Sequence, residues 1–293
     1  MKIEKLIPEC KDYVWGGEKL IKKYGKITKN AICAESWELS FHEAGLTRLQ
    51  NGKTLKESVS SEDLGEKVNS FVHFPVLVKM IDAKDFLSVQ VHPNDDYALK
   101  NENSLGKTEM WYVVEAEEGA GIYLGFKDFY TQKQVEDAVK DNTLTDLLRF
   151  CPVKAGDCFF IPAGTVHAIG RGCLICEIQQ NSNLTYRFYD YGRGRELHLE
   201  KAFKVSKLEP YVAPEFSNGV LGECAYFCAE KLDVNNSVKI SLDHSSFNCV
   251  TCVAGQGVIE GEEIKAGDSY FIPAHYNEYT LQGNMQIIKV YLP

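Results

Sequence analysis

Short runs of alternating apolar and polar side chains occupy most of the chain. Ala34-Glu35-Ser36-Trp37-Glu38-Leu39-Ser40 is one such run, and Leu87-Ser88-Val89-Gln90-Val91-His92 is another. A period of two predicts strands, and turn residues recur between them at regular spacing, which argues for a sandwich or barrel. Phe74 to Ile81 reads as a buried strand that carries one charge, Lys79. The period changes over residues 130–150. Val135, Ala138, Val139, Leu144, Leu147 and Leu148 predict one or two helices inserted between strands, broken at Asp141-Asn142. The fold class expected is mainly β.

The chain repeats itself once. Lys154-Ala155-Gly156-Asp157-Cys158-Phe159-Phe160-Ile161-Pro162-Ala163 returns as Lys265-Ala266-Gly267-Asp268-Ser269-Tyr270-Phe271-Ile272-Pro273-Ala274, with eight of ten positions identical. That separation is too long for a solenoid and predicts two copies of one domain type. Residues 1–210 are expected to form a first domain holding the helical insertion, and residues 211–293 a second. In register, Glu278 stands where the first copy has His167, and no Gln-x-His strand precedes it. The second copy is therefore expected to lack a metal site.

Composition narrows the class. A chain of 293 residues with 44% hydrophobic content can build ample core. No stretch approaches the roughly 20 apolar residues of a membrane span, and the first ten residues hold no apolar run of a signal peptide. A soluble, cytoplasmic protein is the expectation, with its ten cysteines as free thiols. The net charge of −9 argues against nucleic-acid binding. It also requires any anionic substrate to meet a local cluster of Lys and Arg.

Candidate chemistry centres on Gln90 and His92. Side chains two apart on a strand share a face, with Ser88 beside them, and Pro93 ends the strand. Gly156-x5-Pro162-x-Gly164-x2-His167 brackets a second strand that delivers His167 inward. This arrangement resembles the second motif of the cupin superfamily. Gln90-x-His92 and Glu109 take the places of its first motif, with Gln for the first His and a loop of sixteen residues, 93 to 108, before the acid.

Those departures, with Gly106-Lys107-Thr108-Glu109-Met110-Trp111, Ala163 to Ala168, Glu177 to Arg187, Tyr13 to Gly17 and Glu35 to Glu38, resemble the type I mannose-6-phosphate isomerases in their short bacterial form. The resemblance implies two cupin-type jelly-roll β-barrels, the second degenerate. It implies one zinc ion held by Gln90, His92, Glu109 and His167, and a sugar phosphate substrate. Arg187 falls at the family's active-site arginine.

The chemistry is reasonable on its own terms. Two imidazoles, a carboxylate and an amide suit a catalytic zinc, and equally iron, manganese or nickel. Aldose–ketose isomerisation needs a base, for which Glu177 is the first candidate and Lys107 the second. It also needs cations or donors for the substrate, which Ser88, Lys79, Lys107 and Arg187 can supply. Arg193 and Arg195 read as solvated loop residues. Cys173-x2-Cys176 and Cys249-x2-Cys252 have zinc-ribbon spacing but lie in expected strands, where i and i+3 face opposite sides. Two other readings of the site are a metal-dependent oxygenase and a non-catalytic sugar-binding protein with two such barrels.

Overall fold

The computed structural model describes residues 1–217 and 219–293, and all its sheets are antiparallel. Two of them face each other in the first barrel. The larger has six strands in the spatial order Cys158–Ile161, Glu109–Ala116, Cys173–Gln180, Val76–Ala83, Glu35–Leu39 and Glu9–Lys11. The smaller has five, in the order Tyr186–Tyr189, Val89–Val91, His167–Ile169, Gly121–Phe126 and Leu148–Pro152.

The central strands of the larger sheet, Val76–Ala83 and Cys173–Gln180, are largely apolar and buried along their whole length. A strand of that kind is covered by packed structure on each side. One face of the sheet turns toward the five-stranded sheet, and the other packs on the second barrel.

The change of period at 130–150 corresponds to two helices, Gln132–Lys140 and Leu144–Leu147, between strands Gly121–Phe126 and Leu148–Pro152. Thr131 and Gln134 form a capping box at the first helix, which satisfies end donors that the helix itself cannot. Val135, Val139 and Leu144 bury against Phe126 and Leu148. The chain reverses at Asn142, whose φ of 58° is left-handed and favours a short polar side chain.

The third sheet runs Val220–Cys224, Phe227–Ser241, Glu278–Tyr291, Asn248–Ile259, Ser269–Ile272, Glu4–Ile7 and Arg48–Leu49, with Glu262–Lys265 paired to Asn248–Ile259. Its sixth strand comes from the start of the chain, with Glu4 opposite Phe271 and Lys5 opposite Tyr270. A cut after residue 210 would part that strand from its neighbour. One core joins the barrels: Leu39, Met110, Phe160 and Cys176 of the first pack with Phe227, Cys249, Phe271 and Ile288 of the second.

The sequence repeat is one turn built twice. Asp157 accepts the Lys154 amide at 2.9 Å, and Asp268 accepts the Lys265 amide at 3.1 Å. Gly156 and Gly267 both hold a positive φ, 94° and 97°, that other residues resist. Each turn feeds a four-residue strand. Beyond it the copies diverge. His167 is fully buried, whereas Glu278 is exposed and pairs with Lys239 at 2.5 Å. Among the described residues no helix is long and apolar enough to cross a membrane.

Candidate active site

Two rows of side chains meet inside the first barrel, and strand register creates both. In the smaller sheet Gln90 lies between His167 on one neighbouring strand and Arg187 on the other. In the larger sheet Glu177 lies between Lys79 and Trp111, and Lys79 between Glu177 and Trp37. Residues directly opposite in an antiparallel pair project to the same side, so each row presents one surface to the other. Glu109 enters from the strand beside Glu177, and His92 and Lys107 sit just beyond strand ends.

His92, Glu109 and His167 are the deepest members, and all three are buried. Their ligand atoms lie within 4.8 Å of one another, the single such group of three or more among the described residues. Each imidazole has its Nδ1 2.9 Å from a backbone carbonyl, that of Leu184 for His92 and that of Thr165 for His167. A carbonyl only accepts, so Nδ1–H donates in both rings and the Nε2 lone pair points inward. Ordering of the second ring nitrogen by a fixed acceptor is how proteins prepare histidine to hold a metal.

The electrostatics agree with a cation at this point. His167 Nε2 lies 3.3 Å from Glu109 Oε1, and that oxygen is buried with no hydrogen-bond partner. Two acceptors facing each other in a dry interior are costly unless something positive lies near both. Burial, then the Lys107 ammonium, lowers the pKa of His167 to about 4 and takes His92 well below its ordinary value. Both rings are therefore neutral at neutral pH, the form that coordinates. Burial and the Glu177 charge push Glu109 up to about 7. Nζ of Lys107 lies 3.2 Å from His92 Nε2 and bonds Glu109 Oε2.

Gln90 is less buried than these three. Its Nε2 lies 3.4 Å from His167 Nε2, and its Oε1 accepts from Ser88 Oγ at 3.4 Å. Amide oxygen and nitrogen exchange places on a half-turn, so the same side chain can face the histidine with either atom.

Glu177 meets the partners that its apolar strand demanded. Trp111 Nε1 donates to its Oε2 at 2.7 Å, and its Oε1 lies 3.5 Å from Lys79 Nζ and 3.6 Å from Lys107 Nζ. Burial alone would raise its pKa. The two ammonium groups and the indole outweigh that and hold it below the ordinary value, so it is an ionised carboxylate. Lys79 also pairs with Glu35 at 3.2 Å and lies 5.0 Å from the centroid of the Trp37 ring.

Above this floor opens a cleft of about 260 Å³, lined by Ser88, Gln90, Lys107, Glu177 and Arg187 among others. Arg187 donates to the Glu196 carbonyl at 2.7 Å and keeps a buried Nε without a partner. All nine residues singled out in the sequence are thus brought together in one cluster and the cleft above it.

Sequence reading passed over Glu35, which lines the cleft and whose signal was a charge within an alternating strand. It also misplaced the loop arginines. Arg193 and Arg195 are not free in solvent, because both grip the buried Asp190, Arg193 at 2.8 Å and Arg195 through Nε at 2.9 Å. Arg195 lines the cleft as well.

A second buried charge pair lies where the barrels meet. Lys26 and Glu38 are 2.6 Å apart, and Ser269 of the second barrel donates to Glu38 at 2.9 Å. Ser36 and Glu38 face this contact, while Glu35 and Trp37, on the other side of the same strand, face the cleft.

Two fused barrels, of which among the described residues only the first has a convergent His/Glu/His group, define a bicupin with one candidate metal centre. Residues 3–128 match the family described as phosphomannose isomerase type I, catalytic domain. Residues 219–292 match that described as mannose-6-phosphate isomerase, cupin domain. A mannose-6-phosphate isomerase of Streptococcus mutans is 35% identical, over 94% of this chain and 93% of its own. One from Bacillus subtilis is also 35% identical, over 97% of both chains. The crystal structure of a Bacillus subtilis mannose 6-phosphate isomerase superposes with a TM-score of 0.88 at 32% identity, covering 99% of each chain. The chain belongs to the type I phosphomannose isomerase family. The oxygenase and the non-catalytic reading are not favoured by these relatives.

Proposed function

We propose that this protein interconverts mannose 6-phosphate and fructose 6-phosphate by proton transfer between C2 and C1 through an enediolate, with zinc held by Gln90, His92, Glu109 and His167. The observation that carries the proposal is the buried Glu177 carboxyl set between two lysines, beside an inward-facing His/Glu/His group. When bound, the metal supplies Lewis acidity toward the sugar's O1 and O2 as negative charge builds there.

Glu177 is the base that takes the C2 proton and returns it to C1, and in the same exchange the hydroxyl proton leaves O2 and O1 gains one. Its depressed pKa keeps it unprotonated at neutral pH, and Trp111 fixes the carboxylate plane. Lys107 and Lys79 place positive charge against the developing enediolate, in an interior where such charge acts strongly. Arg187 and Ser88, on the opposite sheet, hold substrate oxygens at the mouth. Lys79 and Lys107 are offset by Glu35, Glu109 and Glu177, which leaves Arg187 as the cation that meets the substrate's negative charge. A soluble, cytoplasmic setting fits a sugar phosphate substrate.

Turnover of mannose 6-phosphate in ²H₂O tests this route. Isomerisation with solvent deuterium appearing at C1 of fructose 6-phosphate is expected. Isomerisation with no deuterium at any conversion would argue for transfer that never exchanges with solvent, and absence of isomerisation would sink the reading.

A further inference from the structure

We infer that the second barrel, which has no metal-type cluster among its described residues, positions Lys107 of the first barrel through Tyr226 and Asp95. The contacts form a short relay. Tyr226 sits in the turn between strands Val220–Cys224 and Phe227–Ser241, and its hydroxyl donates to Asp95 Oδ2. Asp95 Oδ1 accepts the Gly106 amide at 2.7 Å and Gln180 Nε2 at 2.9 Å. Gln180 in turn accepts the Thr108 amide through Oε1 at 2.8 Å and donates its own amide to the Thr108 carbonyl at 3.0 Å. The Lys107 amide donates to the Pro93 carbonyl at 2.9 Å.

The backbone on both sides of Lys107 is thus tied to one carboxylate, and that carboxylate is tied to the other barrel. Close approach makes the tie possible. A Cβ at Gly106 would come within 2.5 Å of the Asn94 carbonyl carbon, so only glycine lets segment 105–108 lie against 93–95. Lys107 needs such anchoring because it closes no regular ladder of its own: the strand starts at Glu109. A lysine side chain is flexible, and its Nζ is held near Glu109, His92 and Glu177 only if its backbone stays in place. Asp95 and Tyr226 touch neither the cleft nor the metal-type cluster, so they are positioning residues. The inference rests on the proposed role of Lys107 in isomerisation.

The test combines Tyr226→Phe, Asp95→Asn and Lys107→Met. Hydrogen exchange of the peptide spanning 105–109, read by mass spectrometry without substrate, is expected to speed up in Tyr226→Phe and Asp95→Asn while the melting transition stays cooperative. Loss of one hydrogen bond to a charged group sets a fall in kcat of roughly tenfold for Tyr226→Phe, with KM unchanged. In the Lys107→Met background the same change is expected to have no further effect on kcat, because its route acts through that lysine. Unchanged exchange, or a kcat loss of equal size in the Lys107→Met background, would overturn the inference. A wild-type protein inactive on mannose 6-phosphate would instead remove the isomerase reading, and the exchange result would still decide whether the relay holds this segment.

Discussion

Glu109 Oε1 and His167 Nε2 lie 3.3 Å apart in a fully buried pocket, each oriented as an acceptor. Glu109 Oε1 has no hydrogen-bond partner, and a cation placed between the two atoms would satisfy both. His167→Asn is therefore expected to weaken metal binding by more than about 100-fold, since even outer partners of metal ligands cost about 10- to 100-fold. Metal content after gel filtration, set beside that of wild type, reads the effect. Full stoichiometric metal in the variant would remove His167 from the ligand set.

Glu177→Gln keeps the shape and the Trp111 hydrogen bond while removing the proton acceptor. A general base is worth about 10²- to 10⁴-fold, so kcat should fall by that range with metal content and mannose 6-phosphate affinity retained. Substantial residual turnover would rule Glu177 out and move attention to Lys107.

Lys79 is one of the two ammonium groups that hold Glu177 ionised. Lys79→Met should therefore raise the Glu177 pKa and move the acidic limb of the kcat/KM profile upward, by about one pH unit for loss of a near opposite charge. An unmoved limb would mean that another group sets it.

Acid should destabilise the protein stripped of metal. His92 and His167 are held below their ordinary values in the fold, so below about pH 6.5 the unfolded chain binds their protons more readily. Glu109, pushed up to about 7, acts in the opposite sense. Two groups against one, with His42 and His198 lowered in the same sense as the two histidines of the cluster, leave the unfolded state taking up more protons below about pH 6.5, which lowers stability on acidification. Urea unfolding of chelator-treated protein at pH 7 and pH 5 measures this. Stability that is level or rises toward pH 5 would contradict it.

Lys26 and Glu38 bind the barrels at a buried ion pair. Lys26→Met leaves a carboxylate stranded and should cost about 3–5 kcal/mol, whereas replacing both partners with apolar residues should recover most of that loss. Urea midpoints of the single and double variants test the pair. A single variant as stable as wild type would mean that the hydroxyls of Ser36 and Ser269 suffice.

Much of this was legible in residue order. Gln90 and His92 share a strand face by the period of two, and His167 follows a Gly-Asp turn and a Pro-Ala step that the chain spells twice, with Gly164 in the first copy alone. The helices at 130–150 announced themselves by a change of period. Other features rest on pairings that no local pattern encodes. No local pattern marks Glu4–Ile7 for the sheet of the last strands, because its partners Phe271 and Tyr270 lie about 265 residues further along the chain. Arg195 was taken for a surface residue because its loop is rich in glycine, yet a buried Asp190 draws it inward. Glu35 reads as one more polar position in an alternating strand, and only the fold brings Lys79 of the neighbouring strand into an ion pair with it.

Sugar phosphate isomerisation by this protein is proposed to depend on a metal in the first barrel. Chelator-treated protein assayed with mannose 6-phosphate, before and after stoichiometric Zn²⁺ is returned, tests it most directly. Production of fructose 6-phosphate should be lost on stripping and restored by zinc. Undiminished isomerisation in the stripped protein, with metal absence verified, would contradict it.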